Sequence, residues 1–497
     1  MSAGDAGAAS PPALAANSAN GVGPSARKLT LGPLTALVIG SMVGGGIFSI
    51  PQNTAASAAV GATALAWGIT GLGMLALAFV FVNLTLRQPQ LDSGVYAYAK
   101  AAFGPFVGFS SAWGYWFMAV LGNVSYYVLL FSTLGHYVPV FGDGNTPAAV
   151  ACASILLWGM HAMVMRGIKE AAFINQVTTV AKLVPLLLFV AVLTFAFQPA
   201  IFLQDVWGTR SPQLGTMADQ VRGMMLVTAW VFVGVEGASV YSARAARRTE
   251  VGAATLLGFL FTLALMIAVS LLSLGVMAQP QLAQLKAPSM AHVLAHVVGP
   301  WGAGLISVGL LISLSGALLS WLLLSSETLY MAARDGAAPR WLAAENAHGV
   351  PVSAMWLTSG CVQAFLLVTL LSSSTYLSLV SLGTSMILLP YLWAALYGVQ
   401  LAWQGRGYRM ADRLLRRRDL FIAGVAVLYA FWLLYAGGMR YLLLSALLYL
   451  PGAVLYAWTR RAEGWKLFGK SEWPVFAVML VAASVAAWGL REGWLYL

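Results

Sequence analysis

Long apolar stretches, each near the roughly 20 residues that cross a bilayer as a helix, follow one another along this chain with short polar joints between them. They fall at about residues 31–57, 60–85, 106–137, 147–165, 171–197, 224–243, 251–277, 301–332, 352–372, 376–402, 419–437, 440–459 and 473–490. A stretch apolar on every side needs lipid or a protein interior to face, so the pattern predicts an all-α integral membrane protein with about 12–13 transmembrane helices. The weakest are the short Leu420–Tyr435 and Tyr441–Trp458, divided only by Gly437, Gly438, Met439 and Arg440. Residues 1–26 are mostly Ala, Gly, Ser, Pro and Asn with one acid, Asp5. They lack the basic start and apolar centre of a signal peptide and read as a disordered cytoplasmic tail.

Charge orients the stack. With the N-terminus inside, 21 of the 27 Lys and Arg fall on the cytoplasmic side, and Arg210, Arg222, Lys286, Arg440 and Arg491 fall outside; Lys182 lies within a span. That asymmetry is the positive-inside rule, and thirteen spans then put the C-terminus outside. The sequence pI near 9.7 therefore reflects topology rather than a nucleic-acid surface. Only 9% of residues are charged, against about 25% in soluble domains. Cys152 and Cys361 sit inside apolar stretches and read as small hydrophobes, not as a disulfide or metal pair. The longest joint, Gln198–Arg222, is an external loop too short for a soluble domain. With no HExxH, GxSxG or Walker loop, neither an enzyme nor a cofactor is expected.

Two stretches interrupt helical regularity. The first reads Val38-Ile39-Gly40-Ser41-Met42-Val43-Gly44-Gly45-Gly46-Ile47-Phe48-Ser49-Ile50-Pro51. Each glycine weakens a helix by roughly 1 kcal/mol relative to Ala. Backbone groups freed at membrane depth are tolerated only where they line a cavity or bind something. The sixth stretch, Trp230-Val231-Phe232-Val233-Gly234-Val235-Glu236-Gly237-Ala238-Ser239, is also glycine-interrupted and carries a carboxylate at its centre. Either break alone is explained by close packing through small residues. Together they are more specific, because five spans separate them and the two units then run in opposite senses. Paired broken helices in an inverted repeat point to a substrate site near the bilayer midplane. Freed N–H groups at Gly44, Gly45 and Gly46 suit a carboxylate. Freed carbonyls near Ser41 and Met42, and at Phe232, Val233 and Gly234, suit an ammonium. Those two poles match the backbone end of an amino acid.

Three ionisable groups stand within the spans: Lys182, Glu236 and Glu327. Each costs about 2.5–3.5 kcal/mol on insertion scales, which makes each a functional candidate. Mutual neutralisation is the plain alternative, although two acids against one lysine leave an acid over. An unmatched acid attracts a cationic side chain or carries a proton, and Glu236, inside the break, suits either task. Lys182 is a candidate to place its ammonium where other transporters bind a sodium ion, and to exchange a proton. His161 reads as an interfacial residue beside Arg166. His292 and His296 lie in an external amphipathic stretch and lack a third metal ligand. Trp230 and Trp321 read either as packing or as gates over a cation.

The run Gly40–Pro51 resembles the first broken helix of the amino acid–polyamine–organocation superfamily, and Trp230–Ser239 resembles its W-x-F-x-G-x-E-x-A-S sixth helix. Tyr96-Ala97-Tyr98-Ala99 with Phe103-Gly104-Pro105, and Ala333-Arg334-Asp335-Gly336 with Pro339, resemble its cytoplasmic signatures. The likeness covers about residues 28–460. Leu91–Tyr96, Gly108–Trp116 and Ser320–Glu327 are most similar to the basic amino acid/polyamine antiporters, especially the arginine:ornithine antiporters. The resemblance implies a LeuT-like fold, a 5+5 inverted repeat with helices 1 and 6 broken. The core would span 27–403, in repeats of about 31–197 and 224–402, with additional helices over 404–497. It implies exchange of cationic amino acids (arginine or ornithine, with lysine or histidine open) across the inner membrane. By that analogy Gly44–Gly46 hold the substrate carboxylate, and Met42 with the sixth-helix carbonyls holds the α-amine. Asn123 and Tyr126 face the side chain, and Trp230 and Trp321 gate it.

There are departures from the pattern. Related arginine–agmatine exchangers carry serine where Gly45 stands and a neutral residue where Glu327 stands. Lys182 resembles the fifth-helix lysine of proton-coupled members, so a proton-coupled symporter or uniporter is the alternative. A channel or receptor is the reading from another class, but neither a filter-like repeat nor an ectodomain is visible. Expected partners are small amino acids and membrane lipid; the arginine-rich loop Arg406–Arg418 either simply obeys topology or touches anionic lipid headgroups. Monomer and homodimer are both compatible with the sequence.

Overall fold

The computed structural model describes residues 30–91, 94–167, 171–236, 247–371 and 376–495, nearly all of them helical. The expected tail over 1–26 and the end of the expected sixth span, 237–243, lie outside the described residues. Among those described, ten helices are long and apolar enough to cross a membrane, and one bent pair makes eleven. Two of the thirteen expected spans, 171–197 and 224–243, run beside or into undescribed residues and are not among the ten.

The bent pair is the first expected break. Helix α1 (Leu31–Met42) ends where Gly44 turns extended at φ −99° and ψ −153°. A 3-10 turn over Gly45–Ser49 follows, and α2 (Ile50–Ser57) resumes at a bend of 49°. Pro51 falls in the first turn of α2, where its missing N–H would have no helical acceptor.

Then come α3 (Val60–Arg87), α4 (Gly94–Phe103), α5 (Pro105–Gly135), α6 (Pro147–Met165) and α7 (Ala171–Ala196). The second break follows α8 (Met217–Trp230), after which Val231–Glu236 form consecutive turns. Thr216 and Asp219 cap α8 reciprocally, so this helix starts earlier than the expected 224.

The remainder comprises α9 (Arg248–Leu274), α10 (Ser289–Val298), α11 (Pro300–Arg334), α12 (Val352–Leu371), α13 (Tyr376–Gln404), α14 (Arg413–Ala436), α15 (Gly438–Ala462) and α16 (Trp473–Arg491). Helix α4 was not expected, because a ten-residue helix with one wet face carries no continuous apolar signal. Arg413, Arg416, Arg417 and Arg418, expected in a loop, lie instead in the opening turns of α14.

Helix α5 is the axis of the molecule, with 89% of its apolar window buried, against 17% for α16. It packs on α4, α11 and α13. Glycines let neighbours approach this closely; a Cβ on Gly114 would collide with the Tyr449 hydroxyl. The buried Asp419 carboxylate accepts from Arg87 (3.1 Å), Arg418 (3.0 Å) and the Tyr408 hydroxyl (3.1 Å), fastening α14 to α3. His161, near the end of α6, is 4% exposed, bonded through Nδ1 to the Ser359 hydroxyl at 2.8 Å and packed on Trp158 and Trp356.

Candidate functional site

The two broken helices meet. The Ser41 hydroxyl, shared with the carbonyl of Val38, donates to the Gly234 carbonyl at 3.0 Å. Gly234 holds φ +106°, and a Cβ there would lie 2.6 Å from the Ser41 carbonyl oxygen, so only glycine permits this approach. A small cavity opens beside the junction. Its walls come from four elements: Ser41, Met42, Gly44 and Gly46 of the first break, Met118, Gly122 and Tyr126 of α5, Trp230, Val231 and Val233 of the second, and Trp321 of α11.

Of the residues expected at the site, Ser41, Met42, Gly44, Gly46, Tyr126, Trp230, Val233 and Trp321 therefore come together. Gly45, Phe232, Gly234 and Asn123 stand behind the wall. Gly45 lies against Tyr126, whose ring would be 3.2 Å from a Cβ there. The Phe232 ring packs on Trp67 and Phe259, and its carbonyl accepts from the Val235 N–H at 3.0 Å. Asn123 donates to the Ala119 carbonyl at 2.9 Å, and its Oδ1 is buried with no hydrogen-bond partner. The cavity holds about 20 Å³, enough for one water. Small-molecule sites take about 300–1,000 Å³. An amino acid fits only if the aromatic walls move.

Trp230 is seated by three glycines from three elements. Cβ atoms on Gly46, Gly122 and Gly383 would lie 3.1, 3.0 and 3.3 Å from its indole. Each absent side chain is the space the ring occupies.

The charged groups sort into separate networks. Glu236, 4% exposed, accepts from the Tyr115 hydroxyl at 2.9 Å, the Tyr391 hydroxyl at 2.7 Å and the Gly234 N–H at 3.2 Å. Lys182, 3% exposed, donates to the Gly40 carbonyl at 2.8 Å and to the Val43 carbonyl. The lysine thus consumes carbonyls that the first break sets free, and neither ion is the other's partner. Glu327 stands apart from the cavity, on the outer surface of α11. Helix α11 has 35 residues and is about 52 Å long, so its last turns run past a hydrocarbon layer of about 30 Å.

Sequence reasoning missed Tyr115 and Tyr391, which clamp Glu236. A signal for the first existed: Tyr115, Ala119, Gly122 and Tyr126 repeat at the spacing of one helical face. Tyr391 follows Pro390 on α13 with nothing to distinguish it from the other tyrosines.

The family model for amino acid permeases matches residues 29–459. The arginine/ornithine antiporter of Pseudomonas aeruginosa is 58% identical over 479 residues, covering 95% of this chain and 99% of that protein. The L-lysine transport protein of Corynebacterium glutamicum is 45% identical over 487 residues, with 95% and 97% covered. The arginine/agmatine antiporter of Chlamydia caviae is 42% identical over 439 residues, with 87% and 90% covered. With the match running through both broken helices and most of the chain, this protein belongs to the amino acid permease family.

Proposed function

We propose that this chain exchanges cationic amino acids across the cytoplasmic membrane by alternating access, with its N-terminus inside. The observation that carries the reading is the cavity where both broken helices meet, walled by Tyr126, Trp230 and Trp321 with Glu236 behind it. The antiporter names of relatives at 42% identity and above support the substrate class.

In this reading residues 27–403 form the ten-helix core, in repeats of about 31–197 and 224–402, and 404–497 add helices outside it. The Gly44–Gly46 N–H groups hold the substrate carboxylate. Carbonyls of Met42 and of Phe232–Gly234 hold its α-amine. Asn123 offers its unpartnered Oδ1 to the side chain, and Trp230 and Trp321 close over it. Glu236 balances the substrate's second positive charge. The exposed arginines Arg413 and Arg417 face anionic headgroups of the cytoplasmic leaflet.

The test is uptake of labelled arginine into proteoliposomes containing nothing, arginine, ornithine, lysine or alanine. Uptake is expected only with a cationic amino acid inside, and equal uptake into empty vesicles would overturn exchange. The second reading, proton-coupled transport, is favoured by Lys182 lying against the Gly40 and Val43 carbonyls. Acidification of empty vesicles during uptake would select it.

A further inference from the structure

The match to the permease family ends at residue 459, yet the chain continues through a short segment into α16. Glu472, at the start of that helix, is 2% exposed. Its Oε1 accepts from the Phe106 N–H at 2.7 Å, and its Oε2 accepts from the Gly469 N–H at 2.5 Å. A buried carboxylate is tolerated only where donors meet it, and the opening turn of a helix supplies unpaired N–H groups and a positive pole. Glu472 thus caps α5 from 366 residues away in sequence.

The receiving end is shaped for it. Gly104, at φ +105°, precedes α5, and a Cβ there would lie 2.5 Å from Glu472 Oε1. Pro105 opens the helix without an N–H of its own. Phe106 then packs on Tyr456, Phe468 and Phe476 at ring distances of 5.3, 5.0 and 5.9 Å, which closes the contact to water. Nearby, Glu463 pairs with Arg340 at 2.9 Å, so the same segment is also tied to the loop after α11.

Helix α5 presents Tyr115, Gly122 and Tyr126 to Glu236 and the cavity. Tyr115 lies nine residues from Phe106, about 14 Å along the axis. A helix this enclosed transmits the position of its end to its middle. We propose that Glu472 is a positioning residue for transport: its carboxylate, from beyond the permease core, fixes the height and rotation of α5 and so the placement of Tyr115, Gly122 and Tyr126. This rests on the transport reading above.

The test compares wild type with Glu472→Ala, Glu472→Gln, Gly104→Ala and the Glu472→Ala/Gly104→Ala pair. Val478→Ala, on the exposed face of α16, is the control. Labelled-arginine exchange is measured per monodisperse transporter, and hydrogen–deuterium exchange is followed along α5. Expected for Glu472→Ala is a KM raised by a factor between about 2 and 30, the range a lost helix cap allows, with faster amide exchange reaching residues 115–126. Glu472→Gln recovers part of the loss, because its amide oxygen still accepts from Phe106. Gly104→Ala moves KM the same way, and the pair is no worse than the stronger single change, since both act through one contact. Unchanged KM with amide exchange confined to the first turn of α5 would overturn the proposal and leave Glu472 a tail anchor. Were wild type itself inactive with arginine, the transport reading would fall. The amide-exchange pattern would still decide whether Glu472 sets the middle of α5.

Discussion

At the residue scale the site depends on side chains that hold one another. Glu236 is kept in place by two phenols and a backbone N–H, each donating to a carboxylate in a dry setting. Such charge-assisted bonds contribute more than neutral ones. Glu236→Gln keeps the size but offers an acceptor oxygen on one side only, so one tyrosine faces an amide N–H₂. Arginine exchange should slow roughly tenfold to a hundredfold, with an unchanged elution profile from size-exclusion chromatography. Normal exchange in that variant would remove Glu236 from the mechanism. The acid was readable in the sequence because a carboxylate in an apolar stretch stands out. Its clamps were not, since Tyr115 and Tyr391 are distant in sequence and ordinary in type. Lys182 was readable for the same reason as Glu236. Its acceptors, Gly40 and Val43, are about 140 residues away and no local pattern joins them.

At the element scale, helix ends matter more than helix middles. Both breaks were legible because glycine penalises a helix wherever it occurs. Helix α4 was not legible, because a ten-residue helix carries no continuous apolar run. The start of α8 illustrates a cap with a pH signature. The Thr216 hydroxyl and backbone N–H both donate to Asp219 and hold its carboxyl below the usual 3.8. A depressed carboxyl contributes stability above its unfolded value, and that contribution is lost as pH falls through the lowered one. Thr216→Ala should cost about 1 kcal/mol at neutral pH. The melting-temperature gap from wild type should narrow as pH drops below 3.8. A gap that stays constant down to pH values well under the carboxylate range would mean the hydroxyl acts only as a neutral cap.

At the scale of the whole molecule, α14 is fastened to α3 by a buried carboxylate. Asp419 of α14 carries the attachment to α3, with its side chain 2% exposed against 16% for Arg87 and 59% for Arg418. Removing one member of a buried pair costs about 3–5 kcal/mol, because the other is left without compensation. Asp419→Ala should sit near the low end of that range, since Arg87 still reaches water. Arg418→Ala should cost no more than about 1 kcal/mol, as exposed pairs do. Thermal unfolding in detergent checks the contrast, and equal shifts for the two variants would mean the carboxylate is not the fastening point.

The contact of Ser41 with Gly234 has a mechanical side. Two rods that touch at one point, backbone against backbone, share a fulcrum there. From it α1 reaches about 15 Å to Leu31, and α8 about 20 Å back to Met217. A tilt of about 10° around the fulcrum would leave the junction almost still and sweep the far end of α1 through some 2–3 Å, roughly an atom's width. In the proposed transport cycle, leverage of this kind would separate the place where cargo is held from the places where the passage opens. The stroke at each membrane face is then set by the length of the arm, and the grip at the centre can stay the same in both directions.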